Sequence, residues 1–119
     1  MNPGKIAIAV LLAASALPAL SSAQDADTVA DLRCVAVGLH LGEAPDSHQK
    51  STGTLLVLYY MGRLDGRAPH LEIQKAVAAQ IDTMSEADFR SEATRCSAEL
   101  SQKGAQIKEL VEQMQKHFK

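Results

Sequence analysis

Seven consecutive residues, Leu55 to Met61 of the stretch Thr54-Leu-Leu-Val-Leu-Tyr-Tyr-Met-Gly-Arg-Leu-Asp-Gly66, carry no charge. A run of that length suits either a buried strand or a buried helix segment. A strand needs partners, and no other segment beyond the first 23 residues alternates with period two, whereas three repeat with helical spacing. The run therefore predicts a central helix over residues 51–65, apolar on nearly all sides and surrounded by other helices. Gly62 and Gly66 lie four apart on one face of it. At Gly62 a glycine in mid-helix points to close packing of another helix. At Gly66 the alternatives are the same close approach or a left-handed cap that ends the helix before Pro69.

Residues 1–23 have the form of a secretory leader. Lys5 precedes an apolar core from Ile6 to Leu20, and the small residues Ser21 and Ala23 suit cleavage before Gln24. The core is short for a membrane span and is interrupted by Pro18. The expected product is a single domain, residues 24–119, in the periplasm or secreted, with no membrane attachment after cleavage. It keeps all 14 acidic residues and 11 of the 12 basic ones, a net charge of −3. Mild acidity and only four aromatics (Tyr59, Tyr60, Phe89, Phe118) argue against a nucleic-acid partner.

Four helices are expected, forming a small all-α bundle. The first is capped by Asp27 or Thr28, with Asp31 completing a capping box, and stops at Gly42. Asp46 with Gln49 offers an early start to the second. The third covers residues 70–83 with Ile73, Ala76, Val77, Ile81 and Met84 on its buried side. Ser85-Glu-Ala-Asp88 is a second capping box and opens a long C-terminal helix. In that helix Phe89, Ala93, Cys96, Leu100, Ile107, Leu110, Met114 and His117 follow steps of three and four, broken at Lys103 and Gly104. Unbroken, it spans about 48 Å, against a diameter of roughly 32 Å for a compact domain of this size. Either it folds back near Gly104, or its last turns project. A projecting end exposes Ile107, Leu110, Val111, Met114 and Phe118 as a surface for a second copy or a client protein.

Cys34 and Cys96 are the only cysteines. In an exported chain such a pair forms a disulfide, here closing a long loop worth about 4 kcal/mol. The four histidines lack ligand spacing, so no metal is expected. No nucleophile elbow, phosphate loop or paired-carboxylate motif occurs, so neither catalysis nor a cofactor is expected. The densest charge cluster is Arg63, Asp65 and Arg67, a candidate contact for an anion or a partner beside the alternative of a solvated helix end.

The motif Tyr59-x-x-Gly62-x-x-Asp65-Gly66 resembles the tyrosine–glycine helix of small periplasmic disulfide proteins such as the Tai-like amidase-immunity proteins. The general plan of leader, short helical domain and one disulfide is also similar to the HdeA acid-stress chaperones. Either resemblance implies action by binding protein: as a dedicated inhibitor, or as a holdase. A third expectation is a small apolar ligand held near Tyr59, Tyr60 and Arg63.

Overall fold

The computed structural model describes residues 24–119, so the leader expected over residues 1–23 lies outside the described residues. Those described form four helices and no strand: α1 (Ala26–Gly42), α2 (Ser47–Arg67), α3 (Ile73–Thr83) and α4 (Glu86–His117). The all-α bundle with a long last helix and one disulfide is the observed fold.

The helix starts follow local capping chemistry. Asp25, not Asp27 or Thr28, caps α1, its carboxylate accepting from the Thr28 N–H at 2.7 Å. The box expected at Thr28 and Asp31 does not form because both side chains turn inward and are buried. Asp46 caps α2 by accepting from the Gln49 N–H at 2.8 Å. Ser85 and Asp88 make the reciprocal box at the start of α4, at 3.1 and 2.8 Å. α3 starts three residues later than expected, at Ile73, and no side chain caps it. Of its expected buried stripe only Ala76 and Val77 are buried, while Ile81 is exposed.

The central rod is α1 rather than α2. Leu32, Cys34, Val35, Ala36 and Val37 are all buried in succession or nearly so, and α1 packs against each of the other three helices. A helix buried on nearly every side belongs in the interior. α2 buries only Gly53, Leu56, Tyr60 and Leu64, spaced three, four and four, which is a single stripe. Leu55 and Leu58 of the apolar run face outward, 55% and 66% exposed.

Small residues explain the exchange of roles. A Cβ built at Gly53 falls 2.5 Å from the Gly38 carbonyl oxygen and 2.6 Å from the Gly42 nitrogen. A Cβ at Gly38 falls 2.8 Å from the Gly53 oxygen. The two backbones therefore touch, and only glycine permits it. Gly62 and Gly66 have nothing within 4 Å of a Cβ, so the packing expected there is corrected to Gly38 and Gly53. Gly66 is not a left-handed cap either: α2 continues to Arg67, Ala68 follows as the cap residue, and no described glycine has positive φ.

α4 runs without a break through Gly104. Its first half lies on α1 and α2 through Phe89, Ala93, Cys96 and Leu100. Every residue from Ser101 to Lys119 is exposed. No helix among the described residues is long and apolar enough to cross a membrane.

Candidate functional site

Two features stand out where α2 meets α4: a charged cluster at their contact, and an apolar groove beyond it. The cluster begins with Tyr60, fully buried on α2, whose hydroxyl donates to Glu99 Oε2 of α4 at 2.9 Å. Arg63, one turn further along α2, reaches the other Glu99 oxygen. Its second nitrogen lies 3.2 Å from Asp31 Oδ1 on α1, and Arg67 approaches Asp31 Oδ2 at 3.1 Å. This last contact is an ion pair without the alignment of a hydrogen bond, and Asp31 Oδ2 has no hydrogen-bond donor. The Arg63 guanidinium also stands 5.6 and 5.4 Å from the Tyr59 and Tyr60 ring centres, within cation–π range.

Burial and charge shape the acidities. Burial raises the pKa of Asp31, and the neighbouring Arg63 and Arg67 only partly offset it. Burial pushes Glu99 the same way, but hydrogen bonds from Tyr60 and Arg63 outweigh it and hold that carboxyl below its ordinary value. The Tyr60 hydroxyl is pushed up by burial and by donating to Glu99. Arg63 is desolvated, yet Glu99, Tyr59 and Asp31 together keep it more firmly protonated than a free arginine.

The cluster ties three helices together and leaves little for a ligand. Arg63 and Arg67 are occupied by Asp31, and Arg63 by Glu99 as well, so the anion clamp expected from their spacing is replaced by an internal ion network. Asp65, between them in sequence, is exposed on the opposite side. Beside the network the disulfide joins Cys34 to Cys96, with Cα atoms 5.6 Å apart. Arg95 straddles it, donating to the Ala30 carbonyl at 3.0 Å and lying 2.6 Å from Glu92. Arg33 of α1 reaches Gln80 of α3 and Glu92 of α4. Among the described residues no group of His, Cys, Asp or Glu is placed to hold a metal ion.

Sequence reasoning missed Asp31, Tyr60, Arg95 and Glu99 as members of one network. A signal existed for Asp31, which has Cys34 and Val35 three and four residues on and so shares their inward face. Tyr60 has one too, since Leu56 and Leu64 lie four residues to either side.

The groove opens where α2 and α4 part, on the far side of Tyr59 from the network. It has a volume of about 1130 Å³ and is open to solvent. One wall is α2, with Thr52, Leu55, Leu58 and Tyr59; the other is α4, with Ala93, Leu100, Ile107 and Leu110. Leu41 and His48 also line it, while Gly104 leaves a gap in the α4 wall. The apolar stripe expected on the last turns continues outward from this wall: Val111, Met114 and Phe118 are exposed, Phe118 by 79%. Ile107 and Leu110 thus belong both to the groove and to the stripe. No protein family, no curated protein and no solved structure matches this chain.

Proposed function

We propose that this protein acts without catalysis, by binding another protein, and that the α2–α4 groove is the docking surface for an amphipathic helix of its partner. The observation that carries the reading is the groove itself. Leu55 and Leu58 of α2 and Leu110 of α4 line it, and all three are exposed. Contiguous apolar surface of that kind is rarely left bare unless something docks there. A slot between two helices has the shape that receives a third, which anchors through residues three and four apart. The disulfide suits work in an oxidising compartment, in keeping with an exported chain.

The holdase alternative draws on a different observation, the apolar stripe at Met114 and Phe118 beyond the groove, on a helix end exposed at every residue. The two readings separate by stoichiometry. A photo-crosslinking residue at Leu58 and a control at Lys75, exposed on α3, are placed in the full chain. The docking reading expects one protein captured from Leu58 and not from Lys75. Once purified, that protein binds one-to-one in calorimetry, and Leu58→Asp abolishes binding while leaving the helical circular dichroism spectrum unchanged. A purified partner indifferent to Leu58→Asp, or equal labelling from both positions, refutes it.

A further inference from the structure

Resting on the reading of the groove as a helix-docking surface, we infer that its occupant in the absence of a partner is the α4 end of a second copy of this chain, so that the protein is an antiparallel dimer that masks its own docking site.

Four observations point to this occupant. First, every residue of α4 beyond Leu100 is exposed, so the described residues leave its apolar stripe open. Helices of that length draw most of their stability from burying an amphipathic face. Second, the chain carries both halves of a fit: an open groove that takes a helix, and an unpartnered apolar helix. The halves overlap at Ile107 and Leu110, so one two-fold operation covers both in each copy, as an isologous interface requires.

Third, Gly104 leaves a gap in the α4 wall, with nothing within 4 Å of a Cβ there. If two α4 helices run antiparallel and cross at Glu109, Met114 of the second copy lies opposite Gly104. Its Val111 then meets Ile107, and its Phe118 meets Leu100 on the α4 wall of the groove. A large side chain facing a glycine, and a ring facing a leucine beside Tyr59, make a knob-and-hole arrangement. Fourth, the area is right. Leu55, Leu58, Ile107, Leu110, Met114 and Phe118 are each at least half exposed. Together they offer on the order of 700 Å² per copy, close to the roughly 800 Å² that a standard interface takes from each partner.

Sedimentation equilibrium of the full chain over a range of concentrations tests the dimer, with circular dichroism and a thermal melt confirming that each variant is folded. The wild type is expected at twice the chain mass. Met114→Asp on the stripe and Leu58→Asp on the opposite groove wall should each weaken dimerisation at least ~30-fold, as loss of a central anchor does. A wild type that stays monomeric overturns the inference. So does a Leu58→Asp dimer as tight as wild type, because the α4 ends would then pair outside the groove. Pairing Gly104→Cys with Met114→Cys tests the register. On one chain the two positions are about 15 Å apart along the helix, too far for an internal bond, so oxidation should give a covalent dimer. A non-covalent dimer that fails to cross-link overturns the antiparallel arrangement. A monomer whose Leu58 probe still captures a purified partner sinks the dimer alone. A dimer whose groove takes no other protein sinks the docking reading alone.

Discussion

Replacing Gly53 by alanine should destabilise the protein, while the same change at Gly62 should stabilise it. Both glycines lie inside α2, so alanine gains the same helix propensity at each, about 1 kcal/mol. The difference lies in what the new methyl meets. At Gly62 it meets nothing within 4 Å, and the propensity gain stands alone. At Gly53 it would sit 2.5 Å from the Gly38 oxygen, 2.6 Å from the Gly42 nitrogen and 3.0 Å from the Leu41 carbonyl carbon. All three are backbone atoms of α1, and no rotamer change relieves them. The helices must separate, which loosens Leu56 and Tyr60 against Leu32 and Val35. Overpacking of this kind costs about 1–3 kcal/mol, and the upper part of that range applies when backbone must move.

Setting that cost against the propensity gain leaves Gly53→Ala destabilised by about 1–2 kcal/mol and Gly62→Ala stabilised by about 0.5–1 kcal/mol. For a domain of this size the expected shifts are roughly 4–15 °C downward for the first and about 2–8 °C upward for the second. Urea titration followed by circular dichroism reads both, with the m-value checking that the unfolded state is unchanged. A Gly53→Ala protein as stable as wild type would mean that α1 and α2 do not touch at Gly38 and Gly53. The central position of α1 would fall with that contact. Gly66→Ala, also in open space, serves as a second control and should follow Gly62→Ala.

Reduction of Cys34–Cys96, which closes a loop with a sequence separation of 62, should lower stability by about 4 kcal/mol, read from urea midpoints with and without reductant; an unchanged midpoint would show that the unfolded chain gains no freedom from opening the loop. Arg63→Met removes the cation shared by Asp31 and Glu99, and should cost about 2–4 kcal/mol in the same titration, Arg67 remaining as a partner for Asp31; a loss below about 1 kcal/mol would place the network in free exchange with water. Glu99 has a lowered pKa in the fold, so its stabilising contribution is complete above its ordinary value of 4.5 and is lost as the pH falls through the folded value. Glu99→Gln should therefore be less stable than wild type at neutral pH yet fall less between about pH 5 and 3, and parallel acid limbs would refute the assignment. Asp31 works in the opposite sense, since a raised carboxyl pKa contributes less as the pH rises above its ordinary 3.8.

Where local rules govern, the structure was legible from sequence. Asp46 and the Ser85–Asp88 box start their helices because a short polar side chain next to free N–H groups needs no tertiary context. The disulfide was legible because two cysteines, in a chain read from its leader pattern as exported, leave one pairing. The stripe on α4 was legible because an unbroken helix of 32 residues outruns a small domain. What was not legible depends on which helix touches which. Four large aliphatic residues in a row, Leu55 to Leu58, drew the reading to α2, although α1 taken over its whole length is the more apolar helix. Yet small side chains mark the element that three neighbours must approach, and the larger leucines were left on the outer face. Arg63 and Arg67 looked like a free pair because Asp31 and Glu99 come from other helices, 32 and 36 residues away from Arg63. Spacing along one helix carries no trace of either.

The network, the disulfide and the groove meet in the way α4 is held. Glu92, Arg95, Cys96 and Glu99 fall within two turns, and each bonds α1 or α2 or a residue that does. These two turns fix the direction of the whole helix, and past Leu100 it continues with every residue exposed. Where the stripe stands relative to Leu55 and Leu58 is thus decided by charges and a sulfur bridge one or two turns earlier, and not by the stripe itself. Gly104 sits just beyond this clamp. It costs α4 about 1 kcal/mol relative to alanine, and among the described residues nothing lies within 4 Å of a Cβ there. At Gly38 and Gly53 the same cost is offset by contact between two backbones. At Gly104 the inferred dimer would supply an equivalent contact, with Met114 of the second copy opposite the glycine.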